Sequence, residues 1–352
     1  MARVETVRGP ISPDELGVTL PHEHLLAELT VWWVEPTECS KLNLVDAPIT
    51  LDILHMLRRD ASFSRENLKL GDPNVAIDEL MLYKKAGGCS LVDVTLPGIG
   101  RNPLALREIS NATGVNVFTG TGWYIAASHP AIVKEKSLEE LSDIMVKELT
   151  EGIGDTGIKA GLIGECGLSY PIDPDEEKVI RAAARAQAKT GCAYTIHPPI
   201  YDLERKKIVK NATDILDIIQ EEGADLEKFY MSHMDTTCDD LEYHKKVMDK
   251  YGIVLAYDSF GSEYYDDSLY PGANDGSDKT RTNAIVELCN AGYEKQLIMS
   301  QDVAIKIQRV KYGGYGYAHV LKHIVPVLRF QGVTEKQIRT MTVDNPKRLL
   351  AY

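Results

Sequence analysis

The chain has no closely spaced cysteine pair, no long apolar run, no phosphate-cradling glycine loop and no surplus of positive charge. Its six cysteines (Cys39, Cys89, Cys166, Cys192, Cys238 and Cys289) include no Cys-x-x-Cys, which argues against a disulfide framework. Cys89, Cys192 and Cys289 lie in or beside apolar runs and are expected to be buried free thiols in a reducing compartment. No run of 18 apolar residues exists, so no membrane-spanning helix is expected. Residues 1–20 carry acids and prolines where a secretion signal would be apolar, and the expectation is a cytoplasmic protein. Lysine and arginine number 39 against 52 aspartates and glutamates, a formal net charge of −13. Nucleic acid, whose phosphates need a basic surface, is excluded as a partner. Gly313-Gly-Tyr-Gly-Tyr317 is glycine-dense but does not follow a strand in the nucleotide-binding manner; it reads as a tight turn or lid. No internal repeat is found.

What is present is alternation. At 352 residues and 44% hydrophobic content the chain can bury a large core. Apolar runs of strand length fall at 17–21, 89–95, 115–121, 158–165, 192–197, 228–233, 252–258 and 296–302, separated by helical patterns at 75–86, 137–151, 174–190, 211–222, 240–251, 280–291 and 317–330. Gly87-Gly88 punctuates the first of these helices and Pro174-Asp-Glu-Glu opens the third. Eight strand–helix units without a composition break predict a single (β/α)₈ TIM barrel over residues 1–352. The stretch 30–73, which holds Trp32, Trp33 and three prolines, is expected as an elaborated first loop over the barrel mouth.

Catalytic groups of such barrels sit at the C-terminal ends of the strands. The first strand ends in Pro21-His22-Glu23-His24, and the period of two puts His22 and His24 on one side. The fourth ends in Glu165, the fifth in His197, the sixth in His233 and the eighth in Asp302. Glu165 and His197 are 32 residues apart and His197 and His233 are 36, each one strand–helix unit. His233 and Asp302 are 69 apart, two such units. Singly, each has a bland explanation: a hydrogen-bonded core histidine, or an aspartate capping the next helix. Four histidines and two carboxylates in register point to a metal site. His55, His129 and His244 are assigned to loop or helix surfaces. His319 and His323, at i and i+4, are assigned to a helical face, with a metal pair as the alternative.

Imidazole and carboxylate ligands without thiolates suit zinc, manganese, cobalt or iron. Six ligands exceed one tetrahedral zinc, and a carboxylate such as Glu165 can bridge two ions. Two divalent ions sharing a hydroxide make a nucleophile at neutral pH, and Asp302 is placed to hold it and carry its proton to the leaving group.

At these residues the chain resembles the phosphotriesterase family of the amidohydrolase superfamily. The motifs are Thr19-Leu-Pro-His-Glu-His-Leu25, Gly161-Leu-Ile-Gly-Glu-Cys-Gly167, Thr195-Ile-His197, Ser232-His-Met-Asp235, Ser300-Gln-Asp302 and Asp344-Asn-Pro346. The resemblance implies that His22, His24 and Asp302 hold the more buried ion, that His197 and His233 hold the more exposed one, and that Glu165 bridges. It also suggests a homodimer. Where many family members carry a carboxylated lysine, position 164 is glycine, which fits the branch bridged by glutamate. Lactonase-like members have Asp-Arg-Tyr-Gly after the seventh strand, whereas this chain has Asp258-Ser-Phe-Gly261. Tyr257-Asp-Ser-Phe-Gly-Ser-Glu263 and Lys311-Tyr-Gly-Gly-Tyr-Gly-Tyr317 resemble the phosphotriesterase-related proteins, some of which are similar to amidases acting on N-acetyltaurine.

For substrate contacts, the loops after strands seven and eight carry Lys279, Arg281, Lys306, Arg309 and Lys311. Such a cluster would select an anionic small molecule, with solvated helix faces as the other reading. Tyr124, at the end of the third strand, either hydrogen-bonds the scissile carbonyl or is a rim aromatic. The expected activity is metal-dependent hydrolysis of a small anionic amide, ester or lactone. Phosphotriester hydrolysis is the alternative and calls for a wide, apolar, uncharged pocket. A non-catalytic metal-loaded binding protein is a third reading, disfavoured by Asp302.

Overall fold

The computed structural model describes residues 3–271 and 276–352. Eight parallel strands form one sheet in chain order: β1 Thr19–Glu23, β2 Ser90–Asp93, β3 Asn116–Thr121, β4 Leu162–Gly167, β5 Ala193–His197, β6 Phe229–Met231, β7 Val254–Tyr257 and β8 Leu297–Met299. All eight expected strands are present. The helices that follow them are α1 Pro73–Lys85, α2 Pro103–Thr113, α3 Leu138–Thr150, α4 Pro174–Thr190, α5 Ala212–Glu221, α6 Leu241–Tyr251 and α7 Asp278–Asn290. The eighth begins as a π-turn, Val320–Ile324, and continues as Val325–Phe330. No described helix is long and apolar enough to cross a membrane.

The strands read as near-continuous apolar runs because both their faces are buried. Leu162, Ala193, Tyr230, Val254, Ala256 and Ile298 pack inside the barrel, above Val4, Leu16 and Leu349 at its floor. Their chain neighbours Ile163, Tyr194, Met231, Leu255 and Leu297 pack outward, against the helices. Fully burying such an aliphatic side chain stabilises by about 1.5–3 kcal/mol over leaving it exposed. The helices begin and end where their caps dictate. In α4, Asp173 and Glu176 form a capping box ahead of Pro174, and Gly191 ends the helix in the left-handed conformation, φ +70°.

Neighbouring strands pair through backbone ladders from β1 round to β8. Among the described residues no ladder joins β8 back to β1, and side chains hold that seam. The His22 amide donates to Ser300 Oγ (3.3 Å), and the buried Glu23 carboxylate accepts from Ser300 Oγ (2.7 Å) and the Gln301 amide (2.8 Å).

The expected first-loop elaboration holds a turn at Thr30–Trp32 and two helices, Cys39–Leu42 and Leu51–Leu57. Its base is tied by an antiparallel pairing of Ala27–Glu28 with Lys69–Leu70, and Leu57, Phe63 and Leu70 give it a small core of its own. It is clasped to the segment after β7. Asp60 accepts from the amide (3.0 Å) and hydroxyl (2.6 Å) of Ser268, while Asp266 accepts from the amide (3.2 Å) and hydroxyl (2.5 Å) of Ser62.

Some local expectations are corrected. Cys166, Cys192, Cys238 and Cys289 are buried free thiols, but Cys39 and Cys89 are exposed; Cys89 sits immediately before β2, whose buried run starts at Ser90. His244 is not at a surface. It is fully buried in α6, between the hydroxyls of Thr237 (2.8 Å) and Tyr257 (2.8 Å). His319 is buried as well, its Nε2 2.5 Å from Asp278. The glycine-dense segment is a tight turn: Gly313 closes the single turn Val310–Tyr312 with φ +90°, and a Cβ on Gly314 would overlap the Gln308 backbone.

Candidate metal centre

The C-terminal ends of β1, β4, β5, β6 and β8 bring His22, His24, Glu165, His197, His233 and Asp302 into one cluster. Glu165 is central. Its Oε2 lies 3.4 Å from His22 Nε2, 3.3 Å from His197 Nδ1 and 3.4 Å from His233 Nε2, and its Oε1 lies 3.3 Å from His24 Nε2. Asp302 Oδ1 faces His24 Nε2 at 3.3 Å and His22 Nε2 at 3.7 Å. Ligand atoms of His22, His24 and Glu165, of Glu165, His197 and His233, and of His22, His233 and Asp302 each lie within 4.8 Å of one another. Glu165 belongs to two of these groups, as a bridging ligand would.

The backbone bars a bridging side chain at position 164. Gly164 has φ +110°, and a Cβ there would overlap the Thr195 carbonyl. No lysine fits at 164, and the carboxylate one residue on takes the central place. Two of the clustered residues sit in the left-handed region although they are not glycine: His233, φ +56°, and Asp302, φ +49°. Such conformations persist only where the surroundings over-determine them, and a buried carboxylate braces each. Asp258 accepts from the His233 amide (2.9 Å) and His233 Nδ1 (2.9 Å), and its other oxygen lies 3.3 Å from His22 Nδ1. Glu23 accepts from the Gln301 and Val303 amides on either side of Asp302 (both 2.8 Å).

These braces also orient the rings. A carboxylate only accepts, so the proton of His233 sits on Nδ1 and its Nε2 lone pair points into the cluster. His22 Nδ1 is held by Ser232 Oγ (2.9 Å) and His24 Nδ1 by Thr95 Oγ1 (2.8 Å), so their Nε2 atoms also face inward. Glu23 and Asp258 were not singled out from the sequence. A hint for Glu23 was its place between His22 and His24, and one for Asp258 its place at the end of β7.

The electrostatics call for positive charge. Burial pushes the Glu165 carboxyl up, but His22, His197 and His233 outweigh it and hold it well below the usual range. The same balance lowers Asp302, through His24 and His22. Burial opposes charging of His22, His24 and His233, yet the carboxylates win and all three are raised, His24 to about 10. In His197 burial wins and the ring is lowered. Within the cluster His22 Nε2, Glu165 Oε2, His233 Nε2 and Asp302 Oδ1 are buried with no hydrogen-bond partner among the described residues. Orphaned buried polar atoms are rare, and four aimed at one another fit a divalent cation, whose oxygen and nitrogen ligands they would be.

Above the cluster opens a cavity of about 160 Å³, lined by His197, His233 and Asp302 at its base and by residues of the first and seventh loops, among them Leu29, Trp32, Tyr264 and Tyr270. Tyr124 lines it too. Its hydroxyl accepts from Trp32 Nε1 (3.3 Å) and lies 3.3 Å from His197 Nδ1, and burial, with Glu165 nearby, raises its pKa well above the ordinary value.

The expected basic cluster does not assemble here. Arg281 is fully buried and paired to Asp235 at 2.5 Å. Lys306 pairs with Glu66. Arg309, also buried, donates to the Leu25 carbonyl (2.7 Å), Lys311 is exposed, and Lys279 lies in a separate surface groove with Cys238 and Glu242. None of the five lines the cavity: Arg281, Lys306 and Arg309 are held by partners elsewhere.

A parallel barrel that gathers four imidazoles and two carboxylates at its strand ends is the architecture of a metal-dependent hydrolase. The chain belongs to the phosphotriesterase family, which matches residues 2–350. It is 36% identical to an N-acetyltaurine hydrolase from Xenopus tropicalis, over 99% of this chain and 98% of the relative. Among solved structures it is similar to a resiniferatoxin-binding protein from Rhodobacter sphaeroides (TM-score 0.93, 38% identity, 99% of this chain and 94% of that one). It is also similar to a lactonase from Listeria monocytogenes (TM-score 0.77, 26% identity, 99% and 98%).

Proposed function

We propose that this hydrolase cleaves a small amide, with esters and lactones as chemically allied substrates. The observation that carries the reading is the convergence of four orphaned buried ligand atoms, from His22, His233, Glu165 and Asp302, on one another. The relatives named for N-acetyltaurine hydrolysis place the amide first. His22, His24 and Asp302 would hold one divalent cation, His197 and His233 a second, and Glu165 would bridge them; zinc suits this donor set, with manganese, cobalt or iron also compatible. Such cations supply acidified water and polarise the acyl oxygen. Asp302, held ionised by His24 and His22, takes the proton of the attacking water and passes it to the departing nitrogen. Tyr124, kept neutral by burial, is a hydrogen-bond donor beside the acyl oxygen. Six free cysteines suit a reducing compartment, in keeping with a cytoplasmic protein.

The test is turnover of N-acyl compounds, lactones and phosphotriesters by metal-loaded enzyme in ¹⁸O-water. Label in a carboxylate product supports acyl hydrolysis. Label on phosphorus supports phosphotriester hydrolysis, a second reading that the absence of any lysine or arginine from the cavity wall favours.

A further inference from the structure

Resting on the amide-hydrolase reading, we propose that the part of the substrate that enters the cavity is neutral and apolar, an aromatic or branched aliphatic group. Any acidic group of the substrate stays outside. Opposite the metal ligands the wall is built from Leu29, Trp32 and Leu68 of the first loop and Tyr264, Leu269 and Tyr270 of the seventh. Not one lysine or arginine lines it. None is hidden in the undescribed stretch either, since residues 272–275 are Gly-Ala-Asn-Asp.

Away from the metal centre, the charged side chain on the wall has the wrong sign for an anion. Asp266 lines it, its carboxylate accepting from Ser62. Burying a sulfonate or carboxylate against a wall that offers it no cationic side chain is strongly unfavourable. Two cations of the loops after β7 and β8 are engaged elsewhere: Arg281 by Asp235 and Lys306 by Glu66. Size agrees with a ring. A cavity of about 160 Å³ is close to the roughly 150 Å³ apolar void that takes up benzene. The indole of Trp32 stands edge-on to Tyr124, centroids 6.3 Å apart, leaving an aromatic flank beside His197.

The experiment compares kcat/KM on zinc-loaded enzyme for two series, one varying the acyl group on a fixed amine and one the amine on a fixed acyl group, with N-acetyltaurine and an N-succinyl amide as the charged members. In at least one series kcat/KM should climb about fourfold per added methylene, and N-phenylacetyl should exceed N-acetyltaurine at least tenfold. Leu269→Lys, at a half-buried position, should reverse that preference. In parallel, Asp302→Asn enzyme is titrated with the same compounds, reading tryptophan emission. Neutral aromatic amides should quench it saturably, and Trp32→Phe should abolish the quenching.

Equal or better cleavage of the charged members, or a preference untouched by Leu269→Lys, overturns the proposal. Saturable quenching by the sulfonate alone overturns it as well. Saturable Trp32 quenching by neutral aromatics without cleavage of any acyl compound upholds the cavity's preference and removes the amidase reading instead.

Discussion

Glu23 and Asp302 are tied through one stretch of backbone. The Glu23 carboxylate accepts from the amides of Gln301 and Val303, both at 2.8 Å, and so clamps the peptides flanking Asp302 while that residue holds φ +49°. The central residue of the His-x-His motif thus steadies Asp302, from the other end of the chain.

Glu23→Gln keeps the size of the side chain but turns one oxygen into an NH₂ that confronts a backbone N–H. The resulting slack at Asp302 should lower kcat by about 10- to 100-fold, the usual effect of removing a partner that orients a ligand. KM should change little, and the absorption bands of cobalt-loaded enzyme should shift. Unchanged kcat and unchanged bands would remove Glu23 from this role.

Asp258 orients His233 and His22 together. Asp258→Asn should weaken retention of metal by about 10- to 100-fold, measured as zinc remaining after dialysis against graded chelator. Wild-type retention would show that the rings are oriented without it.

Gly164→Ala places a Cβ on the Thr195 carbonyl at a left-handed φ. The penalty should be on the order of 3 kcal/mol or more, beyond the ordinary range for a single substitution. Equilibrium urea unfolding measures it, and a change below ~1 kcal/mol would mean the β4–β5 backbone yields more readily than its geometry indicates.

His244 provides a pH test outside the cluster. Burial holds its pKa at about 4, against 6.5 for the ordinary ring. A depressed histidine pKa means that the unfolded chain takes up the proton first. Above pH 6.5 it has no effect; as pH falls from 6.5 towards 4, stability is lost, by on the order of 3 kcal/mol. Replacing it by Gln should lower stability at neutral pH yet flatten this acid limb. An equally steep limb in the variant would place the loss elsewhere.

The reciprocal Asp60–Ser268 and Asp266–Ser62 bonds predict that Asp60→Ala loosens the cavity roof. The change leaves Lys41 without its 2.7 Å partner, and loss of a buried polar partner costs about 1–3 kcal/mol. Limited proteolysis should speed up within 262–271, and KM should rise more than kcat falls. Unaltered cleavage of that segment would argue against the clasp.

The eight strands and the six clustered residues were legible because each depends on local pattern: an apolar run of five or so residues, then a histidine or acid at its end. What was not legible depends on partners far off in the chain. Arg281 and Lys306 look like free cations in sequence; their acids, Asp235 and Glu66, lie 46 and 240 residues away. His244 looks like a helix-surface residue until Tyr257, on the next strand, is found against it. Nor could the spacing that picked out the six clustered residues reveal Glu23 and Asp258, because Glu23 acts on backbone amides and Asp258 on an amide and on the far sides of two rings.

Because side chains close the seam between β1 and β8, the sheet's circuit of backbone hydrogen bonds is broken beside Asp302. The amides of Gln301 and Val303 therefore depend on one carboxylate for their protection from solvent. Their hydrogen-exchange rates form a natural gauge of the centre: as Asp302 is drawn into a filled site, exchange at these two positions should slow together, long before the rest of the barrel responds.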